Sequence, residues 1–318
     1  MATDTTPTPI DDAGKPTRRR AARPRRGRPR SVPALIGDYA AMILLAAFFL
    51  FPIVFMVVSS LKPDEQIFAD LTSPAAFLPV GDISLANYGA VFERIPAWRF
   101  LGNSFFVTVV TVILGLIVNS MAGFALSRMR WRGRKIIFAI IIATLIVPFE
   151  TIALPMVFWV AQLPWLEFDG LRPVIEQGWL NSYRVQILPF SANAFSIFLF
   201  AQYFKSIPTE LDEAARMDGA SWFKIFRYIV APLAGPAYAT VAILTFLPVW
   251  NAYLWPLMVV QQESKRPVMI GMQYFFQLNV AWGEVMAYTT LITLPVLAVF
   301  LSFQRAFVSS IASSGVKG

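Results

Sequence analysis

The chain contains neither cysteine nor histidine among its 318 residues. Without cysteine it can form no disulfide, hold no metal through a thiolate and use no thiol nucleophile. Without histidine it lacks the commonest general base and the commonest metal ligand. It also lacks the G-x-x-x-x-G-K-[ST] phosphate-binding motif, so if ATP is used, another chain must bind it. We therefore expect no enzyme activity, no metal and no cofactor in this chain.

Charged residues are scarce and apolar residues are abundant. Only 14% of the residues are charged, 57% are hydrophobic, and the mean hydropathy is +0.59. A soluble domain usually carries about a quarter charged residues. The composition therefore predicts a polytopic membrane protein.

Many of the basic residues are concentrated at the amino terminus. Residues 1–33 are polar, proline-rich and basic, with arginines nearly continuous from Arg18 to Arg30. Such a segment cannot bury enough apolar surface to fold, so we predict a disordered cytoplasmic tail. We interpret its charge as a topology anchor that contacts anionic membrane lipid, and we expect no nucleic-acid binding.

Six apolar runs after the tail are long enough to cross a membrane, because a bilayer core about 30 Å thick needs about 20 apolar residues of helix. We therefore predict an all-α membrane protein with six transmembrane helices within residues 34–318. The fourth run is the most interrupted, since it contains Pro189, Ser191 and Asn193. The predicted spans are Asp38–Leu61, Leu101–Leu126, Ile136–Ala161, Val185–Phe204, Tyr238–Val260 and Val285–Phe307.

The distribution of basic residues predicts the orientation of these spans. With the amino terminus inside, 20 of the 27 Lys and Arg residues lie on the cytoplasmic side and seven lie outside. This asymmetry matches the positive-inside rule. We expect a multi-pass protein of the cell membrane with both termini in the cytoplasm, and the loop between the fourth and fifth spans is then cytoplasmic as well.

That loop begins with a short segment that is too polar to span a membrane. It reads Pro208-Thr-Glu-Leu-Asp-Glu-Ala-Ala-Arg-Met-Asp-Gly-Ala220. Thr209 can cap a helix from Glu210 to Asp218, with Asp212 three residues on in a near-capping-box arrangement. Gly219 suits the left-handed residue that ends a helix. The segment therefore predicts an ordered helix on the cytoplasmic face.

The predicted helix has two neighbouring faces of different character. Leu211, Ala214 and Ala215 share one face, and Glu210, Glu213 and Met217 share the neighbouring one. The small side chains of the alanine pair allow another backbone to approach closely. The acids near the helix start favour a basic acceptor groove. On geometry alone, an ordinary amphipathic loop helix remains an equal alternative. Ser221 can then cap a second helix that runs through Ile229.

The spacing of this segment resembles a known motif. Glu213-Ala214-Ala215 is followed after three residues by Gly219, and Ile229 follows after nine more, with Pro232 beyond it. This resembles the EAA loop of ABC importer permeases, E-A-A, three residues, G, nine residues, I-x-L-P. The one departure is Ala231 in place of Leu. The resemblance extends over about residues 35–318 and is closest to the second permease subunit of carbohydrate importers of the maltose and glycerol-3-phosphate type. The other matching stretches are Leu101-Gly-Asn-Ser-Phe105, Ser127-Arg-Met-Arg-Trp-Arg-Gly-Arg134, Trp250-Asn-Ala-Tyr-Leu-Trp-Pro-Leu257, Gln304-Arg-Ala-Phe307 and Gly315-Val-Lys-Gly318.

The resemblance implies a six-span type I importer fold whose cytoplasmic coupling helix lies in the loop 208–236. It also implies four kinds of partner: a homologous second permease, an ABC ATPase dimer that hydrolyses the ATP, an extracytoplasmic solute-binding protein and a small sugar or polyol. Carried over onto this sequence, the ATPase-coupling residues are Glu213, Ala214, Ala215, Asp218, Gly219, Ile229 and Pro232.

Polar residues at membrane depth are costly and suggest a translocation path. Counted along continuous spans, Glu150, Asn193 and Asn251 lie near mid-membrane, and Trp250 and Trp255 flank Asn251. Aromatic faces stack on sugar rings, and carboxylate and amide groups bind hydroxyls, so these five residues predict a polyol-binding layer. The alternative is hydrogen bonding between helices, with Glu150 protonated or paired.

Two other function classes remain at this point. In an ion- or proton-coupled secondary transporter, Glu150 would be the proton site, although six spans without evident inverted repeats argue against it. A scaffold is the second, while an intramembrane enzyme is disfavoured by the absent nucleophiles. The sequence places no Lys or Arg at mid-membrane depth, which favours a neutral sugar over a phosphate-bearing solute.

Overall fold

The computed structural model describes residues 32–169, 172–277 and 280–315. Almost all of the tail that we predict to be disordered (1–33) lies outside these residues. Within them the chain forms fifteen α-helices: α1 (Val32–Ser59), α2 (Asp64–Asp70), α3 (Ala86–Arg94), α4 (Ala97–Ser127), α5 (Arg134–Ala143), α6 (Phe149–Gln162), α7 (Tyr183–Ser191), α8 (Ala194–Ser206), α9 (Glu210–Met217), α10 (Trp222–Ile225), α11 (Ala231–Leu233), α12 (Gly235–Trp250), α13 (Leu254–Val259), α14 (Val268–Gly271) and α15 (Trp282–Gly315).

The described residues also contain short turns and one hairpin. Strands β1 (Pro164–Asp169) and β2 (Arg172–Gln177) pair antiparallel, with Leu166 opposite Ile175. The sequence analysis did not predict this hairpin, which lies in a segment we expect outside. Four 3₁₀ turns cover Pro74–Phe77, Thr144–Ile146, Glu263–Lys265 and Met272–Phe276, and a π-helical turn covers Phe226–Val230. Otherwise the regular structure described is helical, as predicted.

The helices that can cross a membrane match the predicted number when bent pairs count as one span. Four described helices or helix pairs are long and apolar enough, at Leu35–Ser59, Ala97–Ser127, Tyr183–Ser206 and Trp282–Ser302. Two more spans are bent: α5 and α6 meet at 106°, and the helices from Trp222 to Leu233 meet α12 at 81°. The count is therefore up to six.

The third span, predicted as Ile136–Ala161, is not one continuous helix. Pro148 lacks an N–H and disfavours helical backbone in the residue before it, and Val147 is accordingly extended, with ψ of 115°. Helix α6 restarts at Phe149, so Glu150 lies in its first turn. The depth predicted for Glu150 was counted along one continuous helix, and the structure has no such helix there.

The fifth span is also shorter than the predicted Tyr238–Val260. Helix α12 ends at Trp250 after 16 residues, and the backbone of Asn251 leaves helical geometry with ψ of 9°. The chain becomes helical again only at Leu254, where α13 begins. Asn251 therefore lies at a break between two helices and not inside one.

Helix α4 lies at the centre of the body formed from Pro52 onward. It packs along α7, α8 and α12. At Gly123 it approaches α8 closely, since a Cβ there would lie 2.7 Å from the Cβ of Phe200. Residues 32–51 of α1 belong to a separate unit. Large apolar side chains of that unit, such as Ile43 and Phe48, are exposed in the described structure, as expected of a helix that contacts lipid.

Candidate functional site

Helix α9 starts without the predicted side-chain cap. Thr209 adopts helical backbone angles and its hydroxyl accepts no capping hydrogen bond. Asp212, the expected capping-box partner, is instead committed to an ion pair. The first turn keeps three acidic residues, Glu210, Asp212 and Glu213, which suit the positive end of the helix dipole.

The carboxyl end of α9 follows the prediction closely. The helix stops at Met217, one residue before the expected end, and Asp218 is its cap. Gly219 is left-handed, with φ of +79°. Its N–H donates to the Arg216 carbonyl at 3.0 Å, and the next N–H, of Ala220, donates to the Ala215 carbonyl at 2.9 Å. These two bonds form a Schellman motif, which fixes the turn that leads into α10.

The two alanines of α9 differ in exposure. Glu213 and Ala214 are exposed, and Met217 is 88% exposed, so these three residues form the outer face. Ala215 is half-buried and packs on the cluster beneath the helix. The alanine pair is therefore divided, and only Ala214 offers a small side chain to a partner.

A buried ion pair holds α9 to the end of α4. Nη1 of Arg128 donates to Oδ2 of Asp212 at 3.0 Å, and Nη2 donates to the Ile207 carbonyl at 2.6 Å. Arg128 is 8% and Asp212 6% exposed. Burial raises the pKa of Asp212 above its ordinary value, the charge of Arg128 opposes this, and neighbouring Glu213 raises the pKa further.

A groove of about 820 Å³ opens beside this pair. Its walls bring together the turn after α4 and the exposed side of α9. The Arg216 guanidinium lies 4.9 Å from the centre of the Trp222 ring, which ties α9 to α10. The lining residues are Ser127, Arg128, Met129, Arg130, Trp131, Arg134, Thr209, Asp212, Glu213, Arg216, Met217 and Trp222.

The second helix of the loop begins as predicted and continues differently. The Ser221 hydroxyl accepts a hydrogen bond from the N–H of Lys224. Helix α10 ends at Ile225 and passes into the π-helical turn that contains Ile229. Ile229 is half-buried and Pro232 is exposed.

Phe124 of α4 anchors this part of the loop. Its ring lies 6.2 Å from that of Trp222, 5.3 Å from that of Phe226 and 6.4 Å from that of Phe204. The loop 208–236 therefore packs against one end of each of α4, α8 and α12, which belong to three of the predicted spans.

The polar residues of the predicted path are exposed. Glu150 and Asn251 are both exposed, and the Asn251 amide donates to the Leu247 carbonyl at 2.9 Å. Asn193 is exposed and caps α8, accepting from the N–H of Ser196 at 3.0 Å. Among the hydrogen bonds of the described residues, none joins two of these three side chains.

An aromatic cluster nevertheless brings their neighbours together. Phe149, Phe190 and Trp255 lie with ring centres 5.6–6.0 Å apart. Each belongs to a different helix, α6, α7 or α13. Glu150, Asn193 and Asn251 lie one, three and four residues along the chain from a member of this cluster. Each of the three polar residues is therefore within four sequence positions of this aromatic cluster.

The two tryptophans are less open than the predicted polyol-binding layer requires. Trp250 is 2% exposed, stacks on Phe246 at 5.6 Å, and donates its indole N–H to the Ile292 carbonyl. Trp255 is also 2% exposed and donates to the Val185 carbonyl. Neither ring face is open to a solute in this structure, and Trp250 lies in a different core cluster from Trp255.

The sequence analysis missed Arg128 as a site residue and assigned Asp212 only a capping role. Arg128 belongs to a run of five basic residues, Arg128 to Lys135, that charge counting assigns to topology as a group. A sequence signal existed, because Arg128 is the first of the run and follows the last apolar turn of a span. That position places it closest to the protein interior.

The comparisons with known proteins agree on one family. Residues 111–313 match the family model described as "Binding-protein-dependent transport system inner membrane component". The arabinooligosaccharides transport system permease protein of Halalkalibacterium halodurans is 30% identical and covers 84% of this chain and 91% of the relative. The lactose transport system permease protein of Rhizobium radiobacter is 31% identical over 90% and 97% of the two chains. The sn-glycerol-3-phosphate transport system permease protein of Salmonella typhi is 31% identical over 88% and 96%.

A solved structure gives the same assignment for the fold. A bacterial ABC transporter involved in the import of the acidic polysaccharide alginate has a chain that aligns with a TM-score of 0.69 at 27% identity, covering 87% of this chain and 99% of the other. Since the family model covers most of the chain, this protein belongs to the family of inner membrane components of binding-protein-dependent transport systems.

Proposed function

We propose that this chain is the membrane-spanning permease subunit of an ATP-driven importer that takes up a carbohydrate or related polyol by alternating access. Relatives at 30–31% identity are permeases for arabinooligosaccharides, lactose and sn-glycerol-3-phosphate. The shared solute chemistry supports a hydroxyl-rich cargo. In the proposed assembly the chain pairs with a homologous second permease and receives its cargo from an extracytoplasmic solute-binding protein. A dimer of ABC ATPase subunits drives both permeases.

The exposed face of α9 carries this proposal. Glu213 supplies a carboxylate near the helix start, Ala214 permits close approach, and Met217 offers an adaptable apolar contact. Such a face fits a groove on a separate protein with basic and apolar lining. Closure of the ATPase dimer would draw the α9 helices of the two permeases together, and this rigid-body shift would turn the cavity outward.

We propose Asp218, Gly219, Ile229 and Pro232 as the parts that hold this face in position. Gly219 fixes the turn after α9. The half-buried Ile229 and the exposed Pro232 belong to the bent junction with α12.

For the solute path we propose Glu150, Asn193 and Asn251, with the buried Trp255 as a packing residue of the neighbouring aromatic cluster. Their exposure and their common aromatic neighbours support this choice. Trp250 would act only by packing, since its ring is covered. The lack of a lysine or arginine in the path as predicted from sequence favours a neutral sugar.

The proposed orientation has both termini in the cytoplasm. The basic segment 1–33 would lie against the anionic inner leaflet, and the loop 208–236 would face the ATPase. The chain itself would hydrolyse nothing.

Cross-linking from α9 tests the proposal. Because the chain has no cysteine, Glu213→Cys gives a single reactive site for a thiol-specific cross-linker in membranes. We expect it to capture a nucleotide-hydrolysing subunit, and we expect Glu213→Lys to abolish uptake of radiolabelled lactose or arabinotriose while membrane expression is kept. The control is Asp82→Lys, at an exposed site outside this loop.

The rival hypothesis of a proton-coupled transporter gives the opposite result. Proteoliposomes that contain the chain without an ATPase would then accumulate the same sugars under a proton gradient. Normal uptake by Glu213→Lys, or gradient-driven uptake by the isolated chain, would remove the importer assignment.

A further inference from the structure

Helix α4 is tied by polar side chains near both of its ends. At one end Arg128 binds Asp212 of α9 and the Ile207 carbonyl. Near the other end the Asn103 amide donates to the carbonyls of Ser264 and Arg266, at 3.0 and 2.9 Å. Helix α4 is unbroken over its 31 residues, and Arg128 follows its last residue. At 1.5 Å per residue, the two anchors lie about 38 Å apart along it.

The anchor at the α9 end is directional and desolvated. Its two hydrogen bonds join segments 84 and 79 residues apart in sequence. A buried guanidinium that loses its carboxylate is left as an uncompensated charge, so separating α9 from α4 is costly. In contrast, the exposed Arg130 two residues on lines the same groove without such burial.

The anchor at the other end has the same design. Asn103 is 6% exposed and also accepts a hydrogen bond from the Tyr183 hydroxyl at 2.8 Å. The segment it holds, the turn Glu263–Lys265 with Arg266, follows the broken fifth span. Movement of α4 along its axis would therefore displace that segment.

We propose that the Arg128–Asp212 ion pair is the link through which movement of α9 enters α4, and that α4 carries it to the segment 263–266. Arg128, Asp212 and Asn103 are then positioning residues of the transport cycle. The proposal rests on the proposed function, because it requires a partner that moves α9.

The pair is only partly satisfied in the described structure. Nε of Arg128 and Oδ1 of Asp212 are buried, and neither has a hydrogen-bond partner among the described residues. Buried polar atoms without partners are unfavourable. The pair therefore contributes less to stability than a fully hydrogen-bonded pair would, which fits a contact whose role is to hold α9 in position on α4.

Spin labelling of the chain tests the first step of the link, from α9 to α4, without any ATPase. A nitroxide on Met217→Cys, 88% exposed in the native chain, reports the mobility of α9 in nanodiscs. We expect Arg128→Gln and the isosteric Asp212→Asn each to increase that mobility, and the matched control Arg130→Gln to leave it unchanged. The double exchange Arg128→Asp with Asp212→Arg should restore part of the order. Equal mobility in Arg128→Gln, Asp212→Asn and Arg130→Gln would overturn the link.

ATP hydrolysis by the complete reconstituted transporter tests the second step of the link, from α4 to the segment 263–266. We expect Arg128→Gln to lose about tenfold of the stimulation by solute-binding protein purified with its natural solute, within the usual range of coupling effects, and Arg130→Gln to keep it. Asn103→Leu should lose similar stimulation while the label at position 217 stays immobile. Wild-type stimulation in Asn103→Leu would overturn the role of α4.

The two proposals fail in different ways. A wild-type complex that contains no ATPase subunit would overturn the proposed function. A complete complex in which Arg128→Gln and Asp212→Asn both respond like Arg130→Gln would overturn only the link.

Discussion

Gly219 ends α9 with φ of +79°, in the left-handed region where other residues are strained. A Cβ added there would meet no atom within 4 Å, so substitution costs backbone energy alone. We expect Gly219→Ala to destabilise the turn by about 1–2 kcal/mol. Hydrogen exchange of the α9 amides measures this as a lower free energy of local opening.

Gly235 provides the matched control for that substitution. A Cβ at Gly235 would also meet nothing within 4 Å, and its φ is not positive. Gly235→Ala should be neutral or slightly stabilising, because alanine favours helix. If both alanine variants opened equally, the left-handed backbone would not be the source of the effect.

Asp70 supplies a pH-dependent contact to the segment after α1. The buried Lys62 ammonium donates to Asp70 Oδ2 and to the Ala75 carbonyl, both at 2.7 Å. The hydrogen bond from Lys62 is the main reason that the pKa of Asp70 lies below its ordinary value of 3.8. A lowered pKa means that the folded state favours the ionised form, so the contact stabilises fully above 3.8 and is lost as the pH falls through the lowered pKa.

The corresponding experiment compares the native chain with Asp70→Asn. We expect the variant to open more readily at neutral pH, with exchange of the α2 amides as the measurement. The difference should shrink in acid, below the lowered pKa, where Asp70 of the native chain is protonated too. A difference that stayed constant from neutral to acid pH would show that the ionised carboxylate contributes nothing.

Single-residue predictions succeeded where the cause is local. The left-handed glycine and the Ser221 cap depend on backbone and side-chain groups within a few positions, and both are found. The Thr209 capping box failed because Asp212 binds Arg128, 84 residues away in sequence. No local pattern could reveal that competition.

Among elements, the existence of the spans was predictable and their continuity was not. Pro148 indicates a kink but not its size, 106°, because α6 also contacts α7 and α13, whose positions no local pattern gives. In the fifth span the chain leaves the helix at Asn251, although the hydropathy continues to Val260. Apolar composition alone cannot distinguish one long helix from two short ones.

The contact of α4 with α8 depends on a missing side chain. A Cβ at Gly123 would lie 2.7 Å from the Cβ of Phe200 and 3.1 Å from the backbone N of Ala201. These atoms cannot move aside without separating the helices. We expect Gly123→Val to lower the midpoint of thermal unfolding in detergent by several degrees, since overpacking costs about 1–3 kcal/mol.

The control for this prediction lies on the same helix. A Cβ at Gly102 would meet nothing within 4 Å. Gly102→Ala should therefore have the same midpoint of thermal unfolding as the native chain. Equal midpoints for Gly123→Val and the native chain would mean that α4 and α8 do not pack this closely in the membrane.

For the whole molecule, composition established the class and the loop motif established the family. Scarce charge, six apolar runs and the spacing from Glu213 to Pro232 are all readable along the chain, and the family match agrees with them. What could not be read is which distant segments meet. The ties from α4 to α9 and to the turn at Ser264 join positions 84 and 161 residues apart, and they are the basis of the proposed transmission.

The orientation of the whole molecule can be tested because the chain has no cysteine of its own. The excess of Lys and Arg on one side predicts that α9 faces the cytoplasm and the segment before α3 faces outward. Met217→Cys, at a site 88% exposed, should react with a membrane-impermeant maleimide only after spheroplasts are permeabilised. Asp82→Cys, also at an exposed site, should react in intact spheroplasts. The reverse pattern would place α9 outside, where no cytoplasmic ATPase can reach it, and both the importer proposal and the α4 link would fall together.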